Sequence, residues 1–327
     1  MTETHRVPGV PDGPTPPDVP THSEGPEGAP PPDGPAPLPP PALLDGRAVE
    51  PEELRALALT GYGHFTTLRV EDGRVRGLDL HLERLTRDGR ALFGVAPDPG
   101  RVRELLRRSL GLFAAASAEE PPTVTARVTV FDPALDIVRP EAADRPAVLV
   151  TLRPVPDGGA TPSPLRLRTV RCVRELPEIK HTALLGALRR RREARREGWD
   201  DALFVDAAGL IAEGPTWNIG LCVAESGPAG DRPGAARVVW PRAAALPGVT
   251  AALLRERCGA GSGHAHVPVR RDALPEIAGG TVRAAFVTNA TVGVRPVAAV
   301  DDLELDPAHP LITELAERYR ALPGDPL

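Results

Sequence analysis

One side chain is singled out by its chemistry. Lys180 is the only lysine among the 39 lysine and arginine residues of this 327-residue chain. A guanidinium stays protonated in ordinary protein sites, whereas an amine can lose its proton and attack a carbonyl carbon. Lys180 therefore predicts a nucleophilic amine that forms a Schiff base. The alternative is that codon bias left one lysine by chance, as a charged surface residue.

The asparagines support the first interpretation. Asn218 and Asn289 are the only two in the chain, and each lies in a short segment bounded by turn residues. Loops of this kind often carry functional groups. Lys180 itself directly precedes a strongly helical stretch, so its side chain can project into a cleft.

A metal site is not predicted. Cys172, Cys222 and Cys258 are odd in number and far apart, which is typical of reduced core thiols in a cytoplasmic protein. Cys258 with His264 and His266 matches no standard zinc spacing.

Nucleic acid and membrane are not expected partners. The net charge of −5 gives no general attraction to nucleic acid. An arginine-rich face at 189–196 could bind phosphates, but no aromatic residues are interleaved, so we interpret it as a solvated helix face. No apolar run approaches the ~20 residues that a membrane-crossing helix needs.

The first 41 residues are predicted to be a disordered tail. They contain 15 of the 40 prolines and almost no large apolar residue. Such a segment cannot bury enough surface to offset its ordering entropy. The alternative is a ligand for proline-binding modules. The segment lacks the basic start and apolar core of a signal peptide.

The ordered chain is predicted to form two α/β (α+β) domains, at 42–154 and 165–327, joined by a Pro- and Gly-rich linker at 155–164. In the first domain, we expect helices at 51–59, 81–94 and 101–116 and strands at 64–70, 74–80, 123–131 and 147–152. In the second, we expect strands at 165–173, 201–206, 210–213, 217–223, 284–287 and 292–297 and helices at 182–197, 249–258 and 311–321. The helix at 182–197 is expected to bury Leu184, Leu185 and Leu188.

Seven short segments occur in one order along this chain. They are 63–70, 81–85, 179–181, 201–206, 213–219, 246–250 and 288–290. In that order they resemble the class IV aminotransferases, the fold-type IV pyridoxal phosphate enzymes, over about 61–297. The resemblance implies that the cofactor lies in the cleft between the domains and that the protein is a homodimer.

The resemblance also implies residue roles. Lys180 matches the lysine that forms the internal aldimine and moves the proton at the substrate α-carbon. Glu213 matches the carboxylate that pairs with the pyridine nitrogen. Arg84 matches the arginine that holds the cofactor phosphate, although its position on an amphipathic helix would by itself favour a solvent-facing side chain.

The remaining implied positions surround the phosphate. Val249 and Thr250 match the second phosphate contact, at a helix start where free backbone N–H groups can bind an anion. Asn218 is interpreted as a residue that orients the Glu213 loop. The loop that closes the phosphate pocket is matched by Thr288, Asn289 and Ala290.

The chain departs from the family pattern at two places, of which the second weakens a branched-chain assignment. The stretch 59–63 lacks the Asp-Arg pair that many members carry, and Leu185 stands where branched-chain enzymes have a tyrosine. Amino-group transfer between an amino acid and a 2-oxo acid is the first expectation, with Arg69, Arg127 and Arg295 as candidate carboxylate ligands. A 4-amino-4-deoxychorismate lyase that releases pyruvate and 4-aminobenzoate is the second. A non-catalytic binding protein on the same fold is the third.

Overall fold

The structure is a computed structural model that describes residues 42–116, 123–155, 162–224, 236–258, 264–277 and 280–327. The predicted tail at 1–41 lies outside these residues, as does most of the predicted linker. The two-domain division therefore stays a prediction.

Strands and helices are numbered here in chain order. The strands are β1 Leu43–Leu44, β2 Arg47–Ala48, β3 His64–Glu71, β4 Arg74–Val75, β5 Thr123–Phe131, β6 Ala147–Pro154, β7 Leu165–Arg171, β8 Asp201–Val205, β9 Asn218–Ala224, β10 Ala236–Pro241, β11 His264–Val267, β12 Glu276–Ile277, β13 Gly280–Asn289, β14 Gly293–Val300, β15 Leu303–Glu304 and β16 Asp325–Pro326. The α-helices are α1 Arg55–Thr60, α2 Leu78–Phe93, α3 Pro99–Ala116, α4 Leu185–Arg196, α5 Val249–Arg257 and α6 Pro310–Ala321. Single 3₁₀ turns lie at Pro51–Leu54 and Pro140–Ala142.

The first sheet is antiparallel, in the order β16-β4-β3-β5-β6-β1-β2. Along its strands, successive side chains point to opposite faces of the sheet, and the two faces have different surroundings. On β5, Val124, Ala126 and Val128 enter a core shared with α2 and α3. The intervening residues Thr125 and Arg127 therefore face the opposite side, toward the second sheet.

The second sheet is mixed, in the order β11-β10-β9-β13-β14-β7-β8, with β12 and β15 paired at its margins. Parallel pairs occur at β7/β8, β7/β14 and β10/β11. One face packs with α5 and α6 around Phe286 and Leu315. None of the described helices has the length and apolar character needed to cross a membrane.

The predicted strand at 74–80 is wrong beyond Val75. Gly77 adopts φ 66°, a left-handed conformation that glycine adopts without steric cost, and α2 starts at the next residue. Leu78, Leu82 and Leu85 are then buried along one helix face. The backbone N–H of Leu78 donates to the Asp325 carboxylate at 3.2 Å, which satisfies one unpaired donor of the helix start.

The apolar face predicted for α4 is also wrong. The helix begins at Leu185 rather than Thr182, and Leu185 and Leu188 are 83% and 51% exposed. Its buried residues are Ala187 and Ala194. Small side chains let the helix approach β8 closely, whereas periodicity alone favoured the larger leucines.

The remaining predictions differ mainly at element ends. The predicted strand at 210–213 is reduced to isolated bridges, and β10 and β11 were not predicted. The C-terminal β16 pairs with β4, so the last residues of the chain add an edge strand to the first sheet. The predicted fold class is confirmed: the described residues form a mixed α/β structure built on two sheets.

Candidate active site

A cavity of about 510 Å³ lies between the two sheets, within the size range of small-molecule sites. Strands β3, β5 and β6 line one side, and β9, β13 and the start of α5 line the other. All nine site residues that the sequence predicted line it: Arg84, Lys180, Glu213, Asn218, Val249, Thr250, Thr288, Asn289 and Ala290.

The backbone of Lys180 is held from both sides. Its N–H donates to the Asp88 carboxylate of α2 at 3.0 Å, and its carbonyl accepts from the Phe65 N–H of β3 at 2.9 Å. Asp88 is fully buried and is also ion-paired with Arg87 at 2.7 Å. These contacts aim the lysine side chain into the cavity.

The surroundings of the Lys180 amine favour its neutral form. Desolvation, together with the nearby positive charges of Arg84 and Arg174, lowers the pKa of Lys180 to about 7. Glu213 acts in the opposite direction. The amine lies 4.8 Å from the centre of the Phe65 ring. Lys180 is only partly buried as a residue because it lines the cavity, but the protein around its amine is dense. A large share of Lys180 is therefore neutral near physiological pH.

Glu213 is fixed through both carboxylate oxygens. Oε1 accepts from Arg174 Nε at 2.8 Å, and Oε2 accepts from the Leu246 N–H at 3.2 Å. Arg174 also donates to the carbonyls of Ile179 and Pro177, so it joins the Glu213 carboxylate to the lysine loop. Each carboxylate oxygen can accept more than one hydrogen bond, which leaves Glu213 able to accept another donor from the cavity.

Arg84 is buried, not solvent-facing. Its Nη2 donates to Thr66 Oγ1 at 2.5 Å, and the Thr66 hydroxyl lies 2.7 Å from His81 Nδ1. Arg84 Nη2 also lies 3.4 Å from His81 Nδ1, and because a guanidinium can only donate, a neutral His81 with its proton on Nε2 fits both contacts at Nδ1. Burial, the largest cause, lowers the pKa of His81 well below its ordinary value. Burial also lowers the pKa of Arg84 to about 10, so Arg84 stays charged at neutral pH.

Unpartnered polar atoms converge on the cavity near the start of α5. Arg84 Nε, Thr250 Oγ1 and Thr288 Oγ1 are buried and make no hydrogen bond within the described residues. The Tyr319 hydroxyl lies near Thr250 but does not form a hydrogen bond with it, so Thr250 Oγ1 stays without a partner. Val249 and Thr250 begin α5, where backbone N–H groups lack intrahelical partners. This group of donors suits an anion.

Asn218 and Asn289 shape the loops beside these donors. Asn218 Nδ2 donates to the Leu246 carbonyl at 2.9 Å, and its backbone forms a bridge with Glu213, so it orders the loop that Glu213 also holds. Asn289 Oδ1 accepts from the N–H groups of Thr291 and Val292 at 3.0 and 2.9 Å, which folds the β13–β14 connection. Both side-chain amides therefore fix the backbone of the loops beside the cavity.

Of the three candidate carboxylate ligands, the cavity includes only Arg127. Arg69 is paired with Glu71 at 2.6 Å, and Arg295 donates to the Ser163 carbonyl at 2.7 Å. Neither lines the cavity, so these two predictions are corrected.

Sequence reasoning missed four cavity or anchoring residues: His81, Asp88, Arg153 and Arg174. The signal for Arg153 was alternation on β6, where Val148, Val150 and Leu152 face the core and the residue after them faces away. Arg174 carried no signal, because it is one of very many arginines.

Comparison with known proteins identifies a family and a fold. The amino-transferase class IV family model matches residues 63–300. No curated protein sequence matches the chain.

Several solved structures share the fold. The fold IV-transaminase CpuTA1 from Curtobacterium pusillum is 22% identical, with a TM-score of 0.66, covering 81% of this chain and 89% of that one. A hypothetical aminotransferase from Mycobacterium tuberculosis, in a PLP-bound form, is 21% identical, with a TM-score of 0.68 and coverage of 86% and 97%. The branched-chain aminotransferase of the thermophilic archaeon Thermoproteus uzoniensis, with norvaline, is 21% identical, with a TM-score of 0.69 and coverage of 85% and 93%. At these identities the likeness concerns the fold.

Proposed function

The chain belongs to the class IV aminotransferase family, and on that premise we propose that it is a pyridoxal phosphate-dependent aminotransferase. It moves an amino group between an amino acid and a 2-oxo acid. The observation that carries the proposal is the Lys180 amine, whose pKa is lowered to about 7 in a cavity that it shares with Glu213 and Arg84.

Pyridoxal phosphate fits the donors present. Its phosphate is an anion, and Arg84, Thr250 and Thr288 offer buried polar atoms that lack a partner in the described residues. The first turn of α5 adds backbone N–H groups. Glu213 has remaining acceptor capacity for the protonated ring nitrogen. Bound in this cavity, the cofactor supplies an aldehyde carbon that links to amines and a ring that withdraws electrons from the substrate α-carbon.

The chain's own residues then have distinct tasks. Lys180 attaches the cofactor as a neutral nucleophile and moves the proton at the substrate α-carbon. Glu213 keeps the ring nitrogen protonated, and Arg174 holds that carboxylate in place through the 2.8 Å ion pair. Arg127, the one candidate carboxylate ligand of the three that lines the cavity, binds the substrate α-carboxylate.

The lyase is the second candidate, and the residue beside the lysine favours it. The pair Lys180-His181 resembles the lyase branch of the family, as do the segments 65–67 and 289–290, and both residues of the pair line the cavity. The test is to screen amino donors with and without a 2-oxo acid. A transaminase requires the 2-oxo acid, whereas the lyase releases pyruvate from aminodeoxychorismate without it. Absence of both reactions in protein that retains cofactor would contradict the proposal and favour the binding protein.

A homodimer is also part of the proposal. Large apolar side chains are exposed around the lysine loop and at the entry to β3, and the Thr182 hydroxyl donates to the Gly61 carbonyl, so the two segments adjoin. They are Leu59, Tyr62, Leu176, Leu185 and Leu188. Exposed apolar surface of this extent is typical of an interface.

A further inference from the structure

Two arginines share one wall of the cavity. Arg127 on β5 and Arg153 on β6 both line it. In the β5/β6 register, Arg127 lies opposite Thr151 and Thr125 lies opposite Arg153. The arginines are therefore diagonal neighbours on the same face of an antiparallel pair, close enough for long side chains to meet.

The positive charges of this pair are not neutralised by any carboxylate of the described residues. Among the described residues neither arginine forms an ion pair. Arg127 donates only to the Thr129 hydroxyl, at 3.2 Å, and its guanidinium stacks on the Phe65 ring at 3.7 Å. Desolvation lowers the pKa of Arg127, and the charge of Arg153 lowers it further.

The only carboxylate that lines the cavity in the described residues does not relieve this repulsion. Glu213 is that carboxylate, and it is engaged by Arg174. Within the part of the chain that the structure describes, the cavity thus holds two adjacent cations with no anionic partner. An α-amino acid with one carboxylate would neutralise only one of them.

We propose that Arg153 determines substrate specificity: together with Arg127 it binds a dicarboxylic amino acid or 2-oxo acid, with the second carboxylate at Arg153. This inference rests on the proposed function. It names the charge class of the substrate rather than the reaction, since a dicarboxylate suits both the transaminase and the lyase.

The position of Phe65 indicates which arginine binds which carboxylate of the substrate. The Lys180 amine and the Arg127 guanidinium lie over the same ring, at 4.8 and 3.7 Å from its centre. The α-carboxylate is one bond from the carbon at which Lys180 acts, so Arg127 is its ligand. Arg153 lies on the next strand and is exposed, which suits a carboxylate farther along the substrate.

The test compares two unreactive five-carbon acids, glutarate and valerate, which differ by one carboxylate. Their dissociation constants are measured by calorimetry on the cofactor-loaded protein. Arg153→Gln is expected to weaken glutarate roughly three- to tenfold, a modest effect because the arginine is exposed, and to leave valerate within about twofold. Arg127→Gln should weaken both acids. Arg153→Lys, which keeps the charge, should restore part of the glutarate affinity.

Arg196→Gln is the matched control, because Arg196 is an exposed arginine of α4 outside the cavity. Equal losses for glutarate and valerate in Arg153→Gln, no loss at all, or the same loss in Arg196→Gln would overturn the inference. Thermal unfolding of each variant checks that the fold is intact.

The outcome is separable from that of the proposed function. Borohydride attachment of cofactor at Lys180, with glutarate binding unaffected by Arg153→Gln, would overturn only the present inference. Failure of that attachment would overturn the proposed function, while the two acids still report on Arg153, because their binding requires no reaction.

Discussion

At the scale of single residues, the site depends on placing one amine in dense, positively charged surroundings. Desolvation and the charges of Arg84 and Arg174 outweigh the opposing effect of Glu213, so the pKa of Lys180 falls from its ordinary value to about 7. An arginine at this position could not respond in this way, because its pKa is too high.

This pKa predicts how the rate of cofactor attachment depends on pH. Only the neutral amine attacks the aldehyde, so attachment to cofactor-free protein should rise through pH 7 and then level off. At pH 6 the rate should be about a tenth of its plateau, because one pKa unit changes the neutral fraction about tenfold. Absorbance after mixing measures it. Pyridoxal, which lacks the titrating phosphate, is the control and should give the same midpoint. A rate still rising tenfold between pH 8 and pH 9 would mean an ordinary lysine.

Arg84→Ala should weaken cofactor retention more than it slows chemistry. A hydrogen bond to a charged group contributes about 1.5–3 kcal/mol, so affinity should fall roughly ten- to hundredfold. Equilibrium dialysis of the cofactor measures this. The matched control is Arg90→Ala, which removes an exposed arginine from the same helix. Equal retention in the two variants would exclude Arg84 from the phosphate site.

Residue identity was predictable where composition made it rare. Lys180, Asn218 and Asn289 could be singled out from the sequence for that reason, and all three line the cavity. Arg174 could not, because arginine is abundant. Arg153 carried only the alternation of β6, which does not show that this strand borders the cavity.

At the scale of elements, α2 contributes more than its phosphate-side arginine. Arg87 donates to the Glu178 carbonyl at 2.9 Å, and Asp88 accepts the Lys180 N–H, so one helix turn holds the lysine loop at two points. The loop has no regular secondary structure to hold its shape. These bonds explain how an irregular segment can still aim a side chain.

Asp88→Asn should loosen this anchor. Asparagine keeps one acceptor oxygen but turns an amide donor toward Arg87 or Lys180, and the buried ion pair is lost. We expect a loss of about 1–3 kcal/mol in the free energy of unfolding together with a fall in kcat. Urea unfolding and steady-state assays measure the two. Asp79→Asn, on the same helix, removes an exposed pair with Arg103 and should change little. An unchanged kcat in Asp88→Asn would show that the anchor does not position Lys180.

The predictions of helices and strands succeeded where hydrophobic periodicity agreed with the turn and cap residues at the ends of the element. The strand at β3 and the end of α2 at Gly94 were predicted from such signals. The strand at 74–80 and the buried face of α4 were not predicted correctly. A left-handed glycine ended the first early, and packing of Ala187 and Ala194 overrode the leucine pattern in the second.

At the scale of the whole molecule, two sheets meet across one cavity, and neither carries a complete site. The donors proposed for the phosphate come from α2, α5 and β13, and the lysine comes from the β7–α4 connection. The two arginines without an ion pair among the described residues come from β5 and β6. The order of motifs along the chain predicted the lysine and the residues of α2, α5 and β13 in this set, but not Arg153 of β6. The pairing of β16 with β4 was not predictable, because two residues carry almost no pattern.

The oligomeric state is predicted from the exposed apolar patch formed by Leu59, Tyr62, Leu176, Leu185 and Leu188. Leu185→Glu with Leu188→Glu should convert a dimer to a monomer, because charges would be buried without partners at the interface. Light scattering coupled to gel filtration measures the mass. The control is Ile137→Glu, an exposed apolar residue outside the patch, which should leave the mass unchanged. A monomeric parent protein, or a dimer in the double variant, would show that these leucines are not the interface.

The most direct test of the central claim is borohydride reduction of the purified, cofactor-loaded protein followed by peptide mapping. The account predicts absorbance of bound cofactor, one labelled peptide containing Lys180, and neither label nor turnover in a folded Lys180→Arg variant. The only other amine is at the N-terminus, so a second site is easily recognised. Label elsewhere in the parent, or a Lys180→Arg variant that turns over substrate like the parent, would contradict the account.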